Sequence, residues 1–164
     1  MDQFDPNFPP YVEGAISAVK ITEPTPAIGL PNRVVDPTKD FTVTVDWNVF
    51  GLLTPLWIAA LDEPWVVSVY AESMAGGPEA LIGTASVSKA TFTVDPDPAH
   101  QNGRLYTANV VVPANTLTEG DPGSQVSGIY KLVTSVFLDS TLGAPGFDMI
   151  GFSEGPFVQV ENPI

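Results

Sequence analysis

Cysteine is absent from this chain of 164 residues, and with it go disulfides, thiolate metal sites and cysteine nucleophiles. Stability must come from packing, and a chain of this length buries enough core to do so as a single domain. Basic residues are scarce. Six Lys and Arg stand against nineteen Asp and Glu, a formal net charge of −13, so a phosphate backbone or an anionic membrane is repelled over most of the surface. Nucleic acid is therefore not an expected partner. Charge of either sign is thin, at 15% of residues, which leaves a surface of Thr, Ser, Asn, Pro, Gly and apolar side chains suited to burial in contacts.

Histidine occurs once, as His100. A Ser-His-Asp triad or a two-histidine zinc site would have to be built around it, yet it falls in a loop between Asp97 and Asn102 and reads as a solvated residue. Long hydrophobic runs are missing too. The longest, around 50–61, is interrupted by Gly51, Thr54 and Pro55 and falls short of the roughly 20 residues a membrane-spanning helix needs. No membrane insertion is expected. The start Met1-Asp2-Gln3-Phe4-Asp5-Pro6 puts acids where a signal peptide needs basic residues. No secretory signal is read, and the expected location is the cytoplasm or a particle assembled there.

What the chain does have is alternation. Phe41, Val43, Val45, Trp47 and Val49 recur at every second position with Thr42, Thr44, Asp46 and Asn48 between them, the period of a half-buried strand. Trp65, Val67, Val69 and Ala71 repeat it. Between these two strands Thr54 before Pro55 suggests an N-cap with proline at the first helical position, opening a helix of at most two turns up to Leu61. Further strands are expected over Tyr11–Thr22, 80–95, Arg104–Pro113, Gly128–Asp139 and 147–161, the last broken at Gly155-Pro156. Within 80–95 the apolar phase slips from Leu81, Ala85 and Val87 to Ala90, Phe92 and Val94, which places a bulge or a change of sheet near Ser88 and Lys89. Asn102-Gly103 suits a turn of positive φ. The proline-rich residues 1–10 predict an extended arm ahead of a single domain over 11–164.

Seven or eight strands spaced by Gly/Pro/Asp turns, with little helix and no βαβ alternation, predict an all-β, antiparallel two-sheet sandwich. The run Leu117…Gly128-Ile129-Tyr130-Lys131-Leu132-Val133 resembles the segment of immunoglobulin-like and fibronectin-type-III-like domains in which a tyrosine opens a strand after a loop. That resemblance is one of fold, without the cysteine pair of antibody domains. It implies that the Tyr130 hydroxyl bonds back to main chain within 117–128, and that the domain serves adhesion, linkage or binding rather than chemistry. Trp47, Trp65 and Tyr130 are the expected structural aromatics. The expected core is Val43, Val45, Trp47, Val67, Val69, Val110, Leu132 and Val136.

The acidic residues sit in loops with Pro and Gly, where they serve turns. No enzyme is expected, and no cofactor. Calcium is the one metal with suitable ligands, if Asp95 and Asp97, Glu119 and Asp121, and Asp46 or Asp62 converged. The sharpest feature is the apolar connection at 50–61. As plain structure, Leu52, Leu53, Leu56, Trp57, Ile58 and Leu61 cap an open end of the sandwich. As a contact surface, Leu53, Trp57 and Ile58 join Phe4 and Phe8 of the arm at an interface. The expected function is a structural or interaction module that self-associates or joins a larger protein assembly such as a fibre, shell or phage-tail-like particle. The alternative is a carbohydrate- or small-molecule-binding module that stacks its ligand on Trp57, Trp65, Tyr70 or Tyr106.

Overall fold

The structure, a computed structural model, describes residues 2–23, 34–75, 79–120, 127–140 and 147–162. Seven long strands carry it: β2 (Glu13–Glu23), β4 (Phe41–Phe50), β5 (Trp65–Ser73), β6 (Ala80–Val87), β8 (Arg104–Val112), β9 (Ile129–Leu138) and β10 (Met149–Val160). Three short ones, β1 (Gln3–Asp5), β3 (Val34–Val35) and β7 (Thr93–Val94), raise the number among the described residues to ten. They form two sheets packed face to face. One has six strands in the order β1-β10-β9-β5-β6, with β3 also on β10, and the other has four in the order β2-β4-β8-β7. Every pairing is antiparallel except β3 on β10.

The predicted alternation holds, and its reason is visible in the register. All eight expected core residues are buried, drawn from both sheets. Trp47 faces Tyr106 across the β4–β8 ladder and stacks on it, with ring centroids 5.4 Å apart. Trp65 meets Trp47 edge-on at 5.6 Å from the opposite sheet. Offset and edge contacts of this kind suit the aromatic quadrupole and add to what burial alone contributes. The Tyr106 hydroxyl donates to the Lys89 carbonyl at 2.7 Å, so the large inward ring keeps a partner for its polar end. The Tyr130 hydroxyl donates to the Thr118 carbonyl at 2.9 Å, inside the expected segment.

The phase slip is a change of sheet. β6 belongs to the six-stranded sheet and β7 to the four-stranded one, so the chain crosses the sandwich over 88–92. A second irregularity escaped the pattern. The β5–β6 register shifts at Val69/Tyr70, which turns Ile82 inward and leaves Leu81 exposed. At Gly155-Pro156 the β9–β10 register shifts between Glu154 and Phe157, as the sequence break suggested. Asn102 adopts φ 54°.

The proline-rich arm is extended, but the chain itself holds it. Gln3–Asp5 adds to the edge of β10, and the Phe4 ring points inward between the sheets. A Cβ on Gly14 would come within 2.4 Å of that ring and one on Gly151 within 2.8 Å. Both positions must be glycine for Phe4 to seat.

Candidate interaction surfaces

Three loops meet at the end of the sandwich where β2 begins and β4 ends. The turn at 8–12 is closed by Phe8 and Val12, each amide donating to the other's carbonyl. It is tied to the next loop by the Leu52 amide on Pro10 and the Leu53 amide on Tyr11. Gly51, at φ +134°, passes so close that a Cβ would lie 2.2 Å from the Tyr11 carbonyl oxygen. The Gly51 amide donates to Gln101 of the third loop at 2.7 Å. A short helix, α1 (Thr54–Ala59), follows.

The helix differs from its sequence signature. Leu53, not Thr54, is the N-cap, without a side-chain bond. Thr54 is the first helical residue, and its Oγ1 is buried with no hydrogen-bond partner among the described residues. Helix geometry is held from the other end, where the Lys89 ammonium donates to the carbonyls of Ile58 and Leu61. A cation on the last carbonyls satisfies orphan acceptors and complements the helix dipole.

The residues of the apolar connection divide between the core and the surface. Ile58 and Leu61 are buried at 1% and 3% exposure and seal the core. Ile58 is therefore removed from the expected contact residues, and Phe4 is half-buried with its ring packed against the core. Leu53 and Phe8 stay exposed, together with Leu52, Leu56, Tyr11 and Phe147. Trp57 is half-buried. Its ring packs on Phe147 at 5.6 Å and its indole N–H donates to the Phe147 carbonyl at 2.8 Å. Around it lies an open cavity of about 200 Å³ lined by Leu53, Leu56, Trp57, Ala60, Leu61 and Phe147. That lining suits an apolar side chain. A sugar would need hydrogen-bonding groups beside the stacking ring, and the one polar atom of Trp57 is already engaged. Trp65 and Tyr106 are core residues at 0% and 1% exposure, and Tyr70 stands half-exposed on the outside of a sheet.

The polar candidates do not converge. Asp95 and Asp97 lie at the α1 end, where the Asp95 carboxylate accepts the Asp97 amide at 2.9 Å and meets His100 Nδ1 at 2.6 Å. The Asp97 amide bond in particular, with His100, holds Asp95 below its ordinary pKa of 3.8. Glu119 sits at the other end beside Asn162, Asp46 accepts Thr107 on the four-stranded sheet, and Asp121 lies outside the described residues. No group of three His, Cys, Asp or Glu close enough to hold a metal occurs among the described residues. His100 is not the solvated residue expected: its ring stacks on Phe50 at 3.9 Å. Helices long and apolar enough to cross a membrane are also absent among the described residues.

A second surface went unread in the sequence. The outward positions of the six-stranded sheet form cross-strand rows, and the registers fix them. Ile150, Phe137, Val66 and Ser86 make one row, Phe152, Ser135, Ser68 and Thr84 the next, and Glu154, Val133, Tyr70 and Leu81 a third. Val66, Leu81, Ile150 and Phe152 are 36–53% exposed, and Val133 among them is buried at 5%. Lys131, in the row beyond, pairs with Glu72 at 3.2 Å and Glu154 at 3.8 Å, and the Glu72 bond raises its pKa. The signal was present. β9 and β10 carry large apolar residues in both phases of their alternation, the mark of a strand covered on both sides.

No protein-family model matches the sequence, and neither does any curated protein. Among solved structures the chain is similar to a β-glucosidase, EmGH1, from Erythrobacter marinus. The identity is 10% and the TM-score 0.46, over 92% of this chain and 16% of that one.

Proposed function

We propose that this chain is a non-catalytic interaction module, an immunoglobulin-like sandwich that serves as a subunit or decoration of a larger protein assembly. The observation that carries the reading is the apolar end. Ile58 and Leu61 already complete the core there, yet Phe8, Tyr11, Leu52, Leu53, Leu56 and Phe147 remain exposed above them. Exposed apolar surface beyond what folding uses is the usual mark of a contact. The Tyr130–Thr118 bond and the division of the long strands into three and four support the immunoglobulin-like part of the reading.

The test uses the native size of the chain. In a gentle lysate it should elute in a complex larger than its own 17.4 kDa, and Leu56→Asp should release it. Leu56 is 72% exposed, so thermal unfolding of the purified variant should stay within about 2 °C of the wild type. A free monomer in the lysate, unchanged by the substitution, overturns the proposal.

A further inference from the structure

We propose that the outer face of the six-stranded sheet is a two-fold self-association surface on which a second copy of this chain docks face to face. The inference rests on the assembly reading and names the partner.

The relief of the face is self-complementary. The row Ile150–Phe137–Val66 and the row Val133–Tyr70–Leu81 are ridges of large side chains. Between them Ser135, Ser68 and Thr84 form a trough of small hydroxyls, closed at its β10 end by Phe152. A copy turned end for end about an in-plane axis perpendicular to the strands lays its Val133–Tyr70–Leu81 ridge in that trough and receives the reciprocal ridge in its own. Such isologous packing is what a two-fold axis requires, and sheets stack in this way at about 10 Å separation.

Charge selects the same occupant. In these three rows the only charged residues are Asp5 and Glu154, both at the β1–β10 margin. Among the described residues the nearby cation is Lys131, which pairs with Glu72 and Glu154. A basic partner drawn to a chain of net charge −13 would seek carboxylates, and the interior of this face offers none. An identical uncharged face meets it without burying an unpaired charge. The end-for-end arrangement also places the two Lys131 clusters at opposite ends of the contact.

The area reaches the lower end of the range for a stable dimer. Five strands about 4.8 Å apart, with outward rows about 6.7 Å apart along them, give a face of roughly 600 Å² before side-chain relief is added. A standard stable interface uses about 800 Å² per partner.

Sedimentation equilibrium of the purified full chain across the micromolar range should show a dimer. Leu81→Lys, at a position 53% exposed, should raise its dissociation constant by about tenfold or more, while Leu56→Asp at the α1 end leaves it unchanged. Because the chain has no cysteine, single-cysteine variants give a second measurement that does not depend on Leu81→Lys folding. Ser68→Cys should cross-link to itself through a short bis-maleimide, and Thr107→Cys on the other sheet should not. A monomer at every concentration overturns the inference. So does a dimer that dissociates with Leu56→Asp but not with Leu81→Lys, an outcome that leaves the assembly reading standing. If the purified chain is monomeric and its complex in the lysate dissolves with Leu81→Lys, the face takes a different partner, and the second copy is refuted.

Discussion

The two sheets are alike inside and unlike outside. On the outer face of the four-stranded sheet, Thr44 donates to Asn109 at 2.9 Å and lies 3.1 Å from the Thr22 hydroxyl, while Thr107 donates to Asp46 at 2.7 Å. These cross-strand bonds satisfy one another and leave a largely polar surface, with Val111 exposed at its margin. The corresponding positions of the six-stranded sheet are Val66, Tyr70, Val133, Phe137, Ile150 and Phe152. Inside, both sheets contribute fully buried aliphatic and aromatic residues to one core. The difference teaches that strand formation and solubility are separate demands on a sequence. Inward positions decide whether the sandwich forms, and outward ones decide what it meets.

The largest test of that division is on the inside. Trp47→Ala removes the ring that stacks on Tyr106 and meets Trp65 and should cost about 3–5 kcal/mol in chemical denaturation, as deletions of large buried aromatics do. A loss below about 1 kcal/mol would mean that the two inner faces are not one core. Next comes Tyr130→Phe, which gives up the hydroxyl bond to Thr118 and should cost about 1 kcal/mol by the same assay. Outward substitutions should be smaller and should differ in kind. Thr44→Val breaks the polar ladder but leaves its partners open to water, for about 0.5 kcal/mol. Phe152→Thr keeps a good strand former and should change the stability of the monomer by less than about 1 kcal/mol. Its effect should appear in association instead. If Thr44→Val also weakened association, the contrast between the faces would be lost.

The smallest effect separates the α1 end from both faces. Asp95 has its folded pKa depressed, by the Asp97 amide first and by His100. A depressed carboxylate contributes stability that is complete above its unfolded value near 3.8 and is lost as the pH falls through the folded value. The thermal midpoint should therefore decline on acidification below about pH 4, and Asp95→Asn should flatten that part of the curve. A variant with an unaltered acid limb would show that the loop is held by the Phe50–His100 stack and its backbone bonds, not by the Asp95 carboxylate.

The sequence exposed the sandwich because period-2 alternation is a direct record of inside and outside. It placed Trp47, Trp65, Tyr130 and the eight core residues, and it located the change of sheet near Ser88. It could not divide the apolar connection. Ile58 and Leu53 are equally greasy, and only the position of the short helix over the core turns one in and the other out. Phe4 was misread because its slot is made by Gly14 and Gly151, residues distant in sequence. The outer face of the six-stranded sheet was missed for a different reason. Gly128–Asp139 is legible as a strand, while the information about its outer face lies in the absence of a polar phase at Val133 and Phe137. His100 looked solvated because loops usually are, and nothing local announces a stack on Phe50.

The seating of β1 also bears on how this domain would respond to tension. β1 is antiparallel to β10 and registers with it at three residues, beginning with Gln3 on Phe152. A pull on the chain at Gln3 loads these rungs one after another rather than all together, so the strand opens as a zip and not as a shear clamp. The Phe4 ring leaves its glycine-lined slot in the same motion. β10 keeps its long ladder to β9 throughout, so the opening is confined to the edge strand and the seat of its ring. Force spectroscopy on the purified chain should therefore show a short early extension, from the release of β1, before the main unfolding event.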